Sequence, residues 1–156
     1  MTNKKIEDSL SEQMHIIMYS DINGDSRLFG GKLLSWIDEL AGIVAKRHSQ
    51  HKVTTAAIDN LQFKESALIN DIVIIIGRIT YVGNTSMEVR VDSYVENMEG
   101  LRRPINRAYL TMVAVDDDGH PVKVPSLIIE TESQRAEFEG AKKRIAYRKQ
   151  RRSEGF

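Results

Sequence analysis

Residues 30–48 have the sequence GGKLLSWIDELAGIVAKRH, which is two glycines followed by a run without proline. Aliphatic residues recur there at the spacing i, i+4, i+7, i+11 (Leu33, Ile37, Leu40, Val44). This spacing predicts an α-helix from Lys32 to His48 with a buried stripe. Flanking apolar residues widen the stripe to more than half of the circumference (Leu34, Trp36, Ala41, Ile43, Ala45). A helix of this kind is enclosed on most sides, as it would be if a sheet curled around it.

The chain after this helix, from Val53 to Val115, has the composition and alternation of β-strands. A strand over 72–82 leads into a hairpin turn at Gly83-Asn84 and then into a well-alternating strand that begins near Met87. Further turns are predicted at Glu99-Gly100 and Asp116–Gly119, with a strand from Asn106 to Val115 between them. A short strand over His15–Tyr19 precedes the helix. The prediction is an α+β fold, with one long helix followed by an antiparallel meander.

Composition excludes several classes of function. The 156 residues suit one domain, and 22 basic residues balance 22 acidic ones, which argues against nucleic-acid or acidic-membrane binding. The absence of cysteine excludes disulfides, thiolate catalysis and iron–sulfur clusters. The longest apolar run, Ile72–Ile76, is too short to span a bilayer. Since the polar N-terminus has no signal-peptide pattern, we expect a cytoplasmic protein.

The neutral total hides an asymmetry. Residues 134–156 carry eight basic and three acidic side chains, so this tail has a charge of +5 and the remainder −5. We expect a globular domain over 1–133 and a basic helical tail over 134–156. The tail either contributes positive charge to a bound phosphate or only keeps the protein soluble.

A polar loop, residues 20–29, runs directly into Gly30 and Gly31. The first N–H groups of a helix lack partners within the helix, and the helix dipole is positive at that end. Glycine also lets a ligand approach the backbone closely. Gly30 and Gly31 are therefore candidates for an oxyanion hole at a carbonyl group that becomes tetrahedral. The alternative is that they only permit a tight turn.

Asp38 lies at the edge of the predicted apolar arc, where partial burial would raise its pKa and suit it to general-base catalysis; the alternative is a solvated carboxylate. Asn23, on the entry loop, could polarise a carbonyl or hold a water, or it could cap a turn. Asp38 lies about 11 Å along the helix from its start, at ~1.5 Å per residue. A two-fold dimer would let Asn23 of one subunit meet Asp38 of the other.

These motifs resemble those of the hotdog-fold acyl-CoA thioesterases, in which a loop ending in Leu-Phe-Gly-Gly leads into a central helix that carries an aspartate. The similar segments cover roughly residues 16–150: Asn23–Asp38, Asp71–Val73, Tyr81–Met87, Asn106–Leu110, Val113–Asp116, Val124-Pro125 and Glu130–Glu132. Family members often have glycine where this chain has Ser26. The resemblance implies an antiparallel sheet wrapped around the helix.

The resemblance further implies hydrolysis of acyl-CoA to fatty acid and CoA, with Asn23 and Asp38 as catalytic residues across a dimer interface and dimers assembled as a trimer of dimers. CoA is part of substrate and product, so no cofactor is expected. We expect the N–H of Gly31, with Gly30 or Asn23, to polarise the carbonyl. Asp38 would activate water or attack directly to give an anhydride, and both routes stay open.

For binding CoA we expect Thr85, Ser86, Asn106 and Arg107; the alternative for Arg107 is an ion pair with Glu88 or Asp92. The four histidines lack metal-site spacing, and His48 and His51 fall where a cation suits the helix end. A non-catalytic acyl-CoA-binding module remains the alternative function. A hotdog dehydratase would need a histidine at the helix entrance, and residues 21–38 contain none.

Overall fold

The computed structural model describes residues 2–59 and 61–156. The described elements are β1 (Lys4–Lys5), β2 (Ser11–Ile16), α1 (Gly30–Ser49), β3 (Lys52–Asp59), β4 (Ile72–Val82), β5 (Ser86–Glu96), β6 (Arg102–Val115), β7 (Leu127–Ile128) and α2 (Glu132–Glu154). The α+β prediction is confirmed, and α1 contains the whole predicted helix. The short strand before α1 lies earlier than predicted, since residues 19–21 form a 3-10 turn instead.

The main sheet is antiparallel and has the strand order β2-β4-β5-β6-β3. Strands β4, β5 and β6 form the predicted meander, with tight connections at residues 83–85 and 97–101. The prediction was wrong for β3, which pairs with β6 at the far edge of the sheet and not with β4. The chain therefore has to cross from one side of the sheet to the other between β3 and β4.

Residues 61–71 make this crossing and do not form a strand, contrary to the prediction of continuous strands from Val53 to Val115. Position 60 also falls within the predicted range, but it lies outside the described residues. The crossing passes the start of α1, where Leu28 N–H donates to the Ala67 carbonyl (2.9 Å) and Lys64 N–H to the Ile105 carbonyl (3.0 Å). Its backbone hydrogen bonds thus hold the loop before α1 against the sheet.

Helix α1 packs on the inner face of the sheet. All four residues of the predicted stripe are buried, with Ile37, Leu40 and Val44 fully so. Gly77 of β4 allows the close approach, because a Cβ there would lie 3.1 Å from Val44 Cγ2. Ile43, in contrast, is 40% exposed, so one side of the helix stays open in a single subunit.

His48, near the end of α1, is fully buried, and its Nε2 lies 2.8 Å from the Pro125 carbonyl oxygen. Since a carbonyl oxygen only accepts, Nε2 carries the proton. Burial lowers the pKa of His48, so the prediction that it is a cation stabilising the helix end is wrong. The neutral ring instead ties α1 to the segment before β7.

We expect the stability of the protein to fall on acidification through His48. Because its folded-state pKa is lowered, the unfolded chain takes up the proton first, so its contribution is complete above about pH 6.5 and is lost as the pH falls. The slope per proton is at most about 1.4 kcal/mol per pH unit. Urea unfolding from pH 7.5 to 5 should give a flatter profile for His48→Gln, whereas His120→Gln, at an exposed site, should match the wild type. Equal slopes for His48→Gln and the wild type would contradict this role.

Helix α2 covers part of the outer face of the sheet. It begins after Thr131, whose Oγ1 accepts the Gln134 N–H (3.1 Å). Its Phe138 ring packs 4.7 Å from the ring of Tyr81 on β4, and Ala141 is fully buried. The basic tail is thus an ordered helix resting on the sheet in the described structure.

Candidate active site

The start of α1 has backbone donors that no side chain occupies. Phe29 precedes the helix and makes no side-chain capping bond, so the N–H groups of Gly30 and Gly31 have no acceptor among the described residues. A Cβ at Gly31 would lie 2.7 Å from Cε1 of the Phe29 ring. Glycine at this position therefore leaves room for that ring beside the helix start.

An open cleft of about 290 Å³ lies at this helix end. The helix start contributes Gly30 and Leu33, and the crossing loop contributes the Phe63 ring, which a Cβ at Gly30 would meet at 3.4 Å. The remaining residues that line the cleft are Asn23, Arg27, Leu28, Lys64, Glu65, Ser66, Ala67 and Ile105. The cleft therefore brings the Gly30 backbone together with both polar and apolar side chains, and Gly31 is not among its lining residues.

Asn23 lies on this cleft and also shapes the loop. Its Oδ1 accepts hydrogen bonds from the N–H groups of Asp25 (2.9 Å) and Arg27 (3.2 Å). These bonds cap the turn, which was the alternative role for Asn23. Its Nδ2 has no acceptor among the described residues and remains a possible donor. Ser26, in the same turn, has a φ of 60°, which lies in the left-handed region that favours glycine.

Asp38 is half-buried on the side of α1 that faces β3. The Thr55 Oγ1 donates to Asp38 Oδ1 (2.7 Å) and lies 3.6 Å from the Met112 sulfur. Thr55 thereby fixes the carboxylate and leaves its second oxygen available. Sequence reasoning missed Thr55, because a threonine in an alternating strand carries no signal of its partner.

A single subunit does not bring Asn23 and Asp38 together. Asp38 follows Gly30 by eight positions, which is about 12 Å along the helix axis, and it is not among the residues that line the cleft. This geometry agrees with the expectation that the two residues meet across subunits, which remains a prediction.

The four residues expected to bind CoA also separate into two pairs. Thr85 and Ser86 lie where β5 begins, opposite Val113 of β6, whereas Asn106 lies seven residues earlier on β6, about 23 Å away at ~3.3 Å per residue. Asn106 is buried, and its Nδ2 donates to the Gln62 carbonyl (2.6 Å). The two pairs therefore lie near opposite ends of β5 and β6.

Arg107 makes the ion pair that was its alternative role. Its Nε donates to Asp92 Oδ1 (2.7 Å), and this hydrogen bond raises the pKa of the guanidinium. Asp92 is buried and also accepts Arg90 Nε (2.8 Å). Since the Arg107 side chain is 46% exposed, its expected contact with CoA stays a prediction.

Comparison with known proteins identifies the class of protein to which this chain belongs. The family model described as the thioesterase superfamily matches residues 26–101. The uncharacterized acyl-CoA thioester hydrolase YkhA of Bacillus subtilis is 39% identical over 133 residues, covering 85% of this chain and 77% of that protein. The cytosolic acyl coenzyme A thioester hydrolase of Rattus norvegicus is 34% identical over 148 residues, which is 92% of this chain but only 39% of that protein.

Solved structures agree. A crystal structure of an apo-hexameric acyl-CoA thioesterase superposes with a TM-score of 0.90 at 36% identity, with 97% of each chain covered. The acyl-CoA hydrolase of Staphylococcus aureus, in complex with butyryl-CoA, CoA and CoA disulfide, gives 0.87 at 31% identity over 97% of this chain and 93% of that one. The fold is thus that of a hotdog-fold thioesterase. The chain belongs to the acyl-CoA thioester hydrolases. Among the described residues, no helix is long and apolar enough to cross a membrane.

Proposed function

We propose that this thioester hydrolase cleaves acyl-CoA to free acid and CoA with a site built from Gly30, Gly31, Asn23, Asp38 and Thr55. One observation carries the proposal: α1 begins with two unpaired N–H groups, at Gly31 and at Gly30, which lines the cleft, and it also holds a half-buried carboxylate that Thr55 fixes. Backbone donors stabilise a developing oxyanion, and a positioned carboxylate supplies the base.

In the water route, the thioester carbonyl oxygen lies at the Gly31 N–H, assisted by Gly30 or the Asn23 amide. Asp38 of a second subunit accepts a proton from water, whose oxygen bonds to the carbonyl carbon. The tetrahedral intermediate then expels CoA thiolate, which takes up a proton. In the other route an Asp38 carboxylate oxygen bonds to the carbonyl carbon, the C–S bond breaks and CoA thiolate leaves and takes up a proton, and water then hydrolyses the resulting anhydride.

Variants of a relative support a functional role for the side chains of Asn23, Asp38 and Thr55. The acyl-CoA hydrolase of S. aureus has been solved with an asparagine, an aspartate or a threonine replaced by alanine, at positions separated by fifteen and seventeen residues. Asn23, Asp38 and Thr55 have the same separations in this chain. The agreement supports the choice of Thr55, which only the structure revealed.

A dimer through the β3 edge would complete the site. β3 has a strand neighbour on only one side among the described residues, and Thr55, which holds Asp38, belongs to it. The open side of α1 next to this edge includes Ile43, which is 40% exposed. A second copy paired along β3 would extend the sheet, cover Ile43 and bring its own helix start towards Asp38.

A second surface suits assembly of dimers into a trimer of dimers. Met14, Ile16 and Met18 alternate along and just beyond β2, at the opposite edge, with 55–61% of each residue exposed. Contiguous exposed apolar side chains on an edge strand favour burial against another subunit. The hexameric state of a structural relative supports this arrangement.

We place this activity in the cytoplasm, as the cytosolic relative suggests. The same proposal includes contacts to CoA from two pairs of residues. Thr85 and Ser86 lie at one end of the sheet, and Asn106 and Arg107 lie at the other.

A thiol-reagent assay with a panel of acyl-CoAs tests the function. We expect release of one thiol per acyl-CoA at a rate proportional to enzyme concentration. Binding of acyl-CoA without thiol release, for every chain length, would establish the non-catalytic acyl-CoA-binding module instead.

A further inference from the structure

A second cleft, of about 310 Å³, lies on the outer face of the sheet, between the start of β5 and the C-terminal half of α2. Its helix wall carries three cations, Arg148, Lys149 and Arg152. Its sheet wall carries three hydroxyl-bearing residues, Tyr81, Ser86 and Thr111, beside Met87, Glu88 and Ile145. Ser86, expected from sequence to contact CoA, and the basic tail thus meet in one place.

The one carboxylate in this cleft is already neutralised. Glu88 accepts Arg144 Nη2 at Oε1 (2.7 Å) and Arg144 Nε at Oε2 (3.0 Å), and Oε1 also accepts the Thr80 hydroxyl (2.8 Å). Arg144 is not among the residues that line the cleft. Glu88 therefore has little negative charge left to offset the cations of the helix wall.

Two of those three cations lack an acidic partner among the described residues. Arg148 shares Asp59 with Arg151, at 2.7 and 2.9 Å, whereas Lys149 and Arg152 form no ion pair with the described residues. Phosphate oxygens accept hydrogen bonds from cationic and hydroxyl groups such as those around this cavity.

We propose that this cleft binds the phosphate groups of a nucleotide. The nucleotide is either the phosphorylated end of CoA, in which case the inference rests on the proposed function, or a free nucleotide. Both sources present the same phosphate chemistry to Lys149, Arg152 and Ser86. Truncating the tail would not test this, because it would also leave Glu88 buried without Arg144.

The test uses the full chain with Lys149→Gln and Arg152→Gln combined. The matched control combines Lys143→Gln and Arg135→Gln, which change one exposed lysine and one exposed arginine of α2 outside the cleft. The probe is adenosine 3′,5′-bisphosphate, measured by equilibrium titration. We expect the cleft variant to bind it about 5- to 10-fold more weakly and the control to match the wild type.

Kinetics then distinguish the source. If CoA occupies the cleft, the cleft variant raises KM for an acyl-CoA with kcat unchanged, and KM for the corresponding acyl-pantetheine does not move. If a free nucleotide occupies it, the probe still binds the variant more weakly, but KM for acyl-CoA is unchanged. Equal affinity of the wild type and the cleft variant for the probe, or no binding to either, would overturn the proposal. Failure of the wild type to cleave any thioester would refute the proposed function, while the titration would still decide the cleft.

Discussion

Replacing Asp38 by asparagine should lower kcat by about 10³-fold while KM changes little, because a positioned general base contributes about 10²- to 10⁴-fold. Asparagine is nearly isosteric and keeps an oxygen to accept the Thr55 hydroxyl, whose bond to Asp38 Oδ1 is 2.7 Å. The substitution therefore removes the basic oxygen without removing the contact that orders the side chain. The nucleophilic route predicts the same loss, since an amide cannot form the anhydride.

The neighbouring Glu39→Gln is the matched control, since Glu39 is an exposed carboxylate on the same helix. It should retain near-wild-type kcat. Thr55→Val, which keeps the side-chain shape and removes the hydroxyl, should lower kcat by a smaller factor, about 10-fold, because Thr55 positions Asp38 without touching substrate. Thiol release by each purified, folded variant measures these effects. More than a tenth of wild-type kcat in Asp38→Asn would show that Asp38 is not the catalytic carboxylate.

The contrast between Asp38 and Thr55 shows what the sequence could predict. The helix was predictable because Leu33, Ile37, Leu40 and Val44 are related by local periodicity, and the same periodicity places Asp38 at the edge of the buried arc. The hairpin at 83–85 was predictable because Gly83-Asn84 is a turn signal that two adjacent residues carry by themselves.

The pairing of β3 with β6 was not predictable, because it depends on contacts between residues far apart in the chain. Thr55 lies opposite Met112 in that pairing, and its bond to Asp38 follows from this register. Family resemblance supplied what periodicity could not, namely a role for Asn23. The structure adds that this residue also caps the loop turn through its Oδ1.

We expect the two ends of the proposed site to belong to different copies of the chain. The Asn23 cleft opens at the start of α1, whereas Asp38 faces the β3 edge about 12 Å further along the helix. If a second copy pairs along β3, each site takes its oxyanion donors from one subunit and its carboxylate from the other. The consequence is a form of complementation that a site within one chain cannot show.

Asn23→Ala and Asp38→Asn, each with about 1% of wild-type activity or less on its own, should regain activity when the two chains are mixed. In a mixed dimer, one site combines both altered residues and the other combines the unaltered Asn23 and Asp38. Random 1:1 assembly makes half of the dimers mixed, so about a quarter of wild-type activity per subunit should return. Co-expression with two different affinity tags, followed by sequential purification, isolates the mixed species, which should reach about half. Mixed dimers that stay inactive would show that Asn23 and Asp38 serve the same chain, because then neither site in a mixed dimer would be intact.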